Sequence, residues 1–331
     1  MRKKWIRGGI FLCLVLLLLS NLNRILCVKS PHGVDQTRYL YVQPKNKIDV
    51  LFLGSSHVHC NVNTQLLWDE YGMAAYLMTG AEQPLWNSYY NLKEALKNQK
   101  PKLVVLDMFC PSRFYDDFQP GWADENLDGM RISLNKLEAV YTSVQEEQSH
   151  FFLGFTEYHS RYDQLTTEDF QNFVWNRKTQ ERWKGYTPLN RHAELTEPDM
   201  SHVTTSQEMT EKSKEYFEKI VELTKKEGIT LALISGPYLL EERDQEVYNS
   251  IGQLAEKDGL LFWNTNTPAH YREMGLDFST DYADHAHLNE AGGAKYTAYL
   301  GKWLSQNYSF PDRRGQKGYE SWENQLMKSG E

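Results

Sequence analysis

Hydrophobic positions divide the chain into an apolar N-terminus and a longer region in which short apolar runs alternate with amphipathic ones. Five of these runs are only four to eight residues long and are almost wholly apolar. Runs of this kind are typical of strands in a parallel sheet that is buried on both faces. The predicted strands are residues 49–54, 74–78, 102–109, 229–235 and 260–264.

Helical patterns separate the later strands. The clearest is predicted to begin at Thr205, which forms a capping-box pair with Glu208, and to end at Gly228. A second helix is predicted over residues 241–257, and a third after His287. The third has an apolar face that can pack on the sheet, formed by Ala291, Tyr296, Leu300, Trp303 and Leu304. This alternation predicts an α/β domain.

The N-terminus has the pattern of a membrane-directed segment. Four basic residues precede an apolar run over residues 8–19, and no acidic residue occurs before Asp35. The run suits a signal-peptide core, but no small-x-small cleavage site follows it. Extending the segment to residue 28 allows Arg24 to snorkel at its outer end. We predict an uncleaved single-pass anchor over residues 1–28, with its basic end in the cytoplasm and the rest outside the cell membrane. A cleaved secretory signal is the alternative, and a buried core helix does not fit.

The rest of the chain is acidic. Residues 1–30 hold six basic and no acidic side chains, which leaves 30 basic against 44 acidic side chains in the remainder. This balance argues against a nucleic-acid partner. We predict a linker over residues 29–47, an α/β domain over 48–306 and a C-terminal tail over 307–331. Residues 111–204 break the strand–helix rhythm and are rich in aromatic and amide side chains. They are predicted to form an insertion at the C-terminal edge of the sheet, where such folds bind ligands.

Two polar motifs lie at opposite ends of the predicted domain. The first, LFLGSSHVHC at residues 51–60, places two serines on the turn after the first strand. The second, DYADHAHLNEAGGAKY at residues 281–296, contains Asp284 and His287 just before the last helix. A serine nucleophile needs a base within hydrogen-bond reach and a further group that orients the base. Because the turn also puts the backbone N–H of the nucleophile at a helix N-terminus, it can stabilise an oxyanion. Together the motifs predict a Ser-His-Asp triad.

These residues resemble the SGNH (GDSL-type) hydrolase superfamily. Its first-strand Gly-x-Ser block is similar to Gly54-Ser55-Ser56, and its late Asp-x-x-His block is similar to the sequence from Asp284 to His287. The resemblance implies a three-layer α/β/α fold with a mostly parallel sheet, and it assigns Ser56 as the nucleophile. Ser55 stands where that family usually has aspartate and is therefore the less favoured nucleophile. Only these two end blocks are specific.

The resemblance also points to an oxyanion hole. Gly80 is similar in position to the family's oxyanion-hole glycine, but the usual Gly-x-Asn-Asp after the third strand is not visible. The third donor is therefore unidentified, and Gln83 or a backbone group is a candidate. His57 is expected to line the substrate site.

The anchor and the Gly-Ser-Ser block are more similar to membrane-anchored extracytoplasmic branches of the superfamily, which act in teichoic acid D-alanylation and exopolysaccharide O-acetylation. The resemblance implies a cofactor-free serine esterase or O-acyltransferase that acts on a cell-envelope glycan or polyol polymer. An acyl-Ser56 intermediate would be resolved by a sugar or polyol hydroxyl, or by water. We also predict a membrane partner that supplies the acyl donor.

Two other function classes fit parts of the sequence. His57 with His59, and His285 with His287, form His-x-His pairs that could serve a zinc or manganese hydrolase. Against this, the first pair is expected at a helix start, where positions i and i+2 diverge. A glycan-binding module that kept the fold without chemistry is the other class. Each motif also has a purely structural interpretation, namely helix capping for the serines and a cap with a surface histidine for Asp284 and His287.

Cysteines and carboxylates add little to these functions. Two of the four cysteines, Cys13 and Cys27, fall in the anchor. Cys60 and Cys110 follow strands at the same end of the sheet, so they can form a bridge or remain as two unpaired core thiols. Asp107 and Glu82 are interpreted as structural carboxylates, without a catalytic role.

Overall fold

A computed structural model describes residues 2–26, 32–146, 148–152, 158–171 and 183–323. Its central element is a five-stranded, wholly parallel sheet with strand order β2-β1-β3-β4-β5. The strands are β1 (Val50–Gly54), β2 (Ala75–Thr79), β3 (Leu103–Asp107), β4 (Thr230–Ser235) and β5 (Leu261–Asn264). The predicted strands and the α/β fold class are therefore confirmed, with shifts of one or two residues at the strand ends.

Helices surround the sheet and fill its connections. The α-helices are α1 (Arg2–Leu26), α2 (Val34–Leu40), α3 (Ser56–His59), α4 (Thr64–Tyr71), α5 (Leu85–Ala95), α6 (Phe109–Arg113), α7 (Ala123–Leu127), α8 (Leu134–Ser143), α9 (Thr167–Gln171), α10 (Glu211–Glu227), α11 (Glu242–Asp258), α12 (Pro268–Met274), α13 (Glu290–Asn307) and α14 (Glu320–Glu323). Short 3₁₀ helices occur at Pro120–Trp122, Gln148–Phe151, His159–Asp163 and Trp183–Gly185.

The core has two halves, one on each face of the sheet. Alternate strand residues point to opposite faces, so Leu51 and Leu53 of β1 pack on one side and Val50 and Phe52 on the other. The first half is completed by α5, α10 and α11, and the second by α4, α12 and α13. This is the three-layer α/β/α arrangement that the resemblance implied.

Two details of the helix predictions are wrong. The helix expected from Thr205 begins instead at Glu211, where Thr210 Oγ1 accepts a hydrogen bond from the Ser213 N–H. The Thr205 hydroxyl makes a tertiary contact instead, in which it donates to Glu246 on α11. Ala291, expected on the packed face of the last helix, is exposed. The expected end at Gly228 is confirmed, since that residue adopts the left-handed conformation that closes α10.

The first helix lies outside this core. Residues Lys3–Asn23 have a mean hydropathy of 1.9, and none of that span is buried against the protein. At 1.5 Å per residue, 25 helical residues measure about 37 Å, which exceeds the roughly 30 Å thickness of a bilayer's hydrocarbon core. The helix is thus long and apolar enough to cross a membrane.

Several predicted segments lie partly outside the described residues. They include Cys27, the first residues of the linker, the end of the tail from residue 324, and parts of the aromatic-rich sequence at 153–157 and 172–182. Within the described part of residues 111–204 the chain forms short helices and irregular segments and adds no strand to the sheet.

The edge strand β2 is covered by segments that flank the domain. The Trp322 indole N–H donates to the Ala75 carbonyl at 3.1 Å, and Gln36 Oε1 accepts from the Thr79 N–H at 2.8 Å. The Gln36 amide also donates to the Gly185 carbonyl at 2.8 Å.

The carboxyl ends of the strands are the part of the sheet that bears on function. The connections from β1 and β3 leave on opposite sides there, which is where open α/β sheets form their ligand crevice.

Candidate active site

The turn after β1 separates the two serines by role. Ser55 is fully buried and is the N-cap of α3, where its Oγ accepts the His57 N–H at 3.3 Å. Ser56 is the first residue of α3 and is partly exposed. The capping interpretation therefore applies to Ser55 and leaves the Ser56 hydroxyl available.

Gly54 allows this turn to lie against the neighbouring strand. Its φ angle is 152°, and a Cβ there would stand 2.6 Å from Asp107 Cβ and 2.9 Å from a Val58 methyl group. No side chain fits such a space, so the sequence at this position is limited to glycine. The turn is thereby held close to the end of β3.

The structure brings Ser56, His287 and Asp284 together in one hydrogen-bonded chain. Ser56 Oγ lies 2.8 Å from His287 Nε2, and His287 Nδ1 lies 2.8 Å from Asp284 Oδ1. Asp284 Oδ1 also accepts the backbone N–H groups of Ala286 and His287. With the Nδ1 proton donated to Asp284, Nε2 is left as the acceptor for the serine proton. This arrangement can activate a serine for nucleophilic attack.

Asp284 is held in its ionised form. Burial acts to raise its pKa, but His287, the Ala286 N–H and Arg191 outweigh burial and lower the pKa below its ordinary value. Arg191 Nη2 lies 3.0 Å from Asp284 Oδ2, the oxygen that faces away from His287. Arg191 comes from the predicted insertion, and the sequence analysis did not identify it.

Asn61 ties the two ends of the site together. This fully buried residue follows α3, and its Oδ1 accepts the Leu288 N–H at 3.1 Å, one residue beyond the catalytic-type histidine. Its carbonyl accepts the Thr297 hydroxyl of α13 at 3.1 Å. Asn61 was not among the predicted site residues, although its place directly after the first polar block, five residues beyond Ser56, is a signal in the sequence.

Of the residues predicted for the oxyanion hole, Ser56 and Gly80 lie at the same end of the sheet. The Ser56 N–H opens α3 and has no intrahelical acceptor. Gly80 directly follows Thr79, which pairs with Gly54 across the sheet, so Gly80 lies at the same edge as the serine turn. A Cβ on Gly80 would stand 2.2 Å from Asn126 Oδ1. The absence of a Cβ at Gly80 therefore lets the Asn126 side chain lie close to the position where the resemblance placed an oxyanion donor.

Gln83 is not brought to the triad. Its amide nitrogen donates to the Met78 carbonyl at 3.4 Å and to Ser88 Oγ at 3.0 Å, and its oxygen accepts from Asn91 at 2.8 Å. Both amide hydrogens are thus used, one by Met78 on β2 and one by Ser88 on α5, and neither is left for an oxyanion.

His57 is buried among aromatic rings beside His287. Its ring stacks on Phe109 with centroids 3.4 Å apart, meets Tyr238 edge-on, and lies 5.5 Å from the His287 ring. Within the described part of the chain neither of its ring nitrogens has a hydrogen-bond partner. Burial lowers the pKa of His57 well below its ordinary value, and the nearby His287 adds to the shift.

The histidine pairs do not converge on one point. While His57 packs on Phe109, His59 Nδ1 lies 3.1 Å from Thr79 Oγ1 and its ring contacts His32 at 4.4 Å. His285 is exposed. Among the described residues, no group of three histidine, cysteine or carboxylate side chains is placed to hold a metal ion. The expected divergence of positions 57 and 59 on a helix is thus what the structure has.

Asp107, at the end of β3, holds the turn that carries Ser55 and Ser56. It accepts hydrogen bonds from the Ser55 hydroxyl at 3.5 Å and from backbone N–H groups including those of Phe109 and Ser55. Burial raises the pKa of its carboxyl to about 7.

Cys60 and Cys110 are both buried free thiols, so the bridge that the sequence allowed is not formed.

Comparison with known proteins gives likenesses of structure only. No family model and no curated protein sequence matches the chain. A protein from Bacteroides fragilis assigned as an acylhydrolase is similar at 12% identity and a TM-score of 0.42, over 84% of this chain and 98% of that one. A variant of Axe2, an acetyl-xylooligosaccharide esterase from Geobacillus, is similar at 12% identity and a TM-score of 0.40, over 80% and 96%. A protein from Parabacteroides merdae assigned as a GDSL-like lipase is similar at 10% identity and a TM-score of 0.38, over 80% and 99%.

Because the identities and TM-scores are low, the interpretation of the site rests on the geometry of this chain's own residues.

Proposed function

We propose that the protein is a serine-dependent esterase or O-acyltransferase that acts outside the cell membrane on a cell-envelope polysaccharide or polyol polymer. The observation that carries the proposal is the hydrogen-bonded chain from Ser56 through His287 to Asp284, with 2.8 Å at each step. The three side chains come from two sequence blocks more than 200 residues apart. Each block is also held by local hydrogen bonds, from the Ser55 cap in the first and from the N–H groups that Asp284 accepts in the second.

In the proposed mechanism His287 Nε2 removes the Ser56 proton as Oγ attacks the acyl carbonyl. Asp284, ionised and hydrogen-bonded to Nδ1, stabilises the imidazolium that forms. The backbone N–H groups of Ser56 and Gly80 are the proposed donors to the oxyanion. Collapse of the tetrahedral intermediate expels the donor alcohol, which takes the proton from His287 and leaves acyl-Ser56.

The second half of the reaction restores the serine. His287 deprotonates an acceptor hydroxyl, which attacks the acyl carbonyl, and Ser56 leaves with the proton from His287. A sugar or polyol hydroxyl as acceptor completes acyl transfer, and water completes hydrolysis. The balance between the two depends on how well the occupied site excludes water.

The proposed location follows from the first helix. With its basic end in the cytoplasm, α1 would hold the catalytic domain on the outer side, where envelope polymers occur. A membrane protein that delivers the acyl group across the bilayer is the proposed partner. If envelope acylation were unchanged after removal of the anchor with export preserved, this part of the proposal would be wrong.

The direct test is labelling of the full chain in detergent with a fluorophosphonate probe, followed by intact-mass spectrometry. We expect one adduct on the native chain, the same adduct on Ser55→Ala, and none on Ser56→Ala. The Ser55 variant is the matched control because it removes the neighbouring hydroxyl and a cap of about 1 kcal/mol without touching the proposed nucleophile.

The same preparation separates the alternatives. Hydrolysis of a small soluble ester that stops with a chelator would indicate the metal hydrolase instead. Glycan binding with neither labelling nor turnover would indicate the binding module.

A further inference from the structure

The C-terminal end of α1, which is its outer end in the proposed orientation, contacts the folded domain. Arg161 Nη1 donates to the carbonyl of Leu26, the last residue of the helix, at 2.5 Å. Ile25, one residue earlier, is only 8% exposed, whereas the other residues of the helix whose burial is described are exposed or half-buried. The last turn packs against α9 and the 3₁₀ helix at His159–Asp163. A cation at a helix C-terminus is a favourable contact, so this joint sets the direction of the helix relative to the domain.

Two exposed aromatic side chains flank this joint. Tyr162, next to Arg161, is 74% exposed, and Phe170 on α9 is 54% exposed. Aromatic residues of this kind concentrate where membrane helices meet the lipid headgroups, because their rings are apolar and tolerate a wet boundary. Their position beside the end of a helix that can span a membrane is the one that such a boundary would occupy.

The candidate active site lies near the same end of the molecule. Six peptide steps separate Leu26 from His32, and six extended residues span at most about 20 Å. The His32 ring packs on His59 of α3 with centroids 4.4 Å apart, and the Gly33 N–H donates to the Thr79 carbonyl at the end of β2. The helix that carries Ser56 is therefore one short connection away from the outer end of α1.

We propose that Tyr162 and Phe170, beside the last turn of α1, form one lipid-facing surface, which seats the domain on the bilayer with the carboxyl edge of its sheet close to the headgroups. This inference rests on the proposed function in one respect, since it takes α1 to be a retained anchor. It adds that the acyl donor or acceptor is met at the membrane surface, as a lipid-attached or membrane-held molecule.

The charges around this surface indicate how it binds. Asp163 and Asp169 lie in the same segment, and Asp169 faces Arg161 at 3.5 Å. The segment therefore has no excess of positive charge to attract anionic lipids. Contact is made by burying the aromatic rings, so it should persist at high salt.

A photocrosslinking experiment tests the surface directly. The full chain carries benzoylphenylalanine at position 162, 170 or 141 and is reconstituted in nanodiscs of phosphatidylethanolamine and phosphatidylglycerol, then irradiated and analysed by mass spectrometry for lipid adducts. Tyr141 is the matched control because it is 60% exposed but belongs to α8, which packs on α5. We expect lipid adducts at positions 162 and 170 and none above background at 141. Adducts at 141 alone, or at none of the three positions, would overturn the proposal.

The outcome is independent of the chemistry at Ser56. The same adducts are expected when the chain also carries Ser56→Ala, and fluorophosphonate labelling of Ser56 is expected whether or not lipid is bound. A failed triad therefore leaves the lipid adducts in place, and a failed lipid surface leaves the serine labelling in place. Replacing both aromatic residues with serine should reduce acyl transfer to a lipid-attached acceptor while hydrolysis of a soluble ester stays unchanged.

Discussion

The residue that joins the two halves of the site offers the sharpest test of the structure. Asn61 Oδ1 accepts the Leu288 N–H at 3.1 Å in a fully buried position, and Leu288 follows His287 directly. Asn61→Ala removes that acceptor and leaves a buried N–H without a partner. The loop that carries His287 then loses its attachment to the turn that carries Ser56.

The expected loss of stability follows from one buried hydrogen bond. A buried donor left without its acceptor costs about 1–3 kcal/mol, and the small cavity left by the side chain adds to this. The expected loss of activity is larger in proportion, because a displacement of about 1 Å between reacting groups can lower the rate about 100-fold. The variant should therefore fold, unfold at lower urea concentration, and have a strongly reduced kcat.

Asn63→Ala is the matched control for this variant. Asn63 lies two residues away and accepts the Gln65 and Leu66 N–H groups as the N-cap of α4. Loss of a cap costs about 1 kcal/mol, which is similar to the loss expected for Asn61→Ala, but this cap does not touch the histidine loop. Stability is measured by urea unfolding, and activity by the initial rate of hydrolysis of a soluble ester at saturating concentration.

The comparison can refute the positioning role. If both variants lost stability and kept the native kcat, Asn61 would be a structural residue only. If both lost activity in step with stability, the activity loss would report partial unfolding and not the position of His287.

Two further predictions concern single carboxylates. Asp284→Asn should keep the fold but lower kcat by about 10⁴-fold, because the amide no longer stabilises the imidazolium or fixes the histidine tautomer; a loss smaller than tenfold in the ester assay would contradict the triad. Asp107→Asn should flatten the pH dependence of stability. The pKa of Asp107 is raised from 3.8 to about 7, so native protein holds a proton that the unfolded chain has released between these values, and stability should fall as pH rises from 4 to 7. The upper bound of the change is about 4 kcal/mol, measured by urea unfolding at several pH values, and an identical slope in the variant would assign the dependence to other groups.

Local patterns were sufficient to predict the sheet, and they singled out three residues that the structure places in one hydrogen-bonded chain. Strands β1 and β3 are short runs that are buried along their whole length and are apolar except for Asp107 at the end of β3, so the sequence alone makes them visible. Gly228 ends α10 because its left-handed conformation is a property of glycine itself. Ser56 and Asp284 could be proposed from the sequence because each lies in a compact polar block and because the two blocks occur in the chain order of the resemblance.

The residues that were missed depend on contacts between distant parts of the chain. Arg191 reaches Asp284 across 93 residues and Asn61 reaches Leu288 across 227, and neither leaves a periodic signal. The start of α10 differs from the expected one because Thr210 caps the helix, while Thr205 contacts Glu246, 41 positions away. Gln83 was a candidate oxyanion donor by position alone, whereas its amide donates to Met78 on β2 and Ser88 on α5.

The contacts along β2 change what the flanking segments do. An exposed edge strand is a template for pairing with another chain, which leads to aggregation or to unintended dimers. Here Gln36 from the segment after α1 and Trp322 from the C-terminal region occupy the Thr79 N–H and the Ala75 carbonyl of that edge. Segments that resemble a spacer and a tail in the sequence thus protect the β2 edge of the sheet from other strands. A chain trimmed to residues 48–306 would retain the triad and lose this protection.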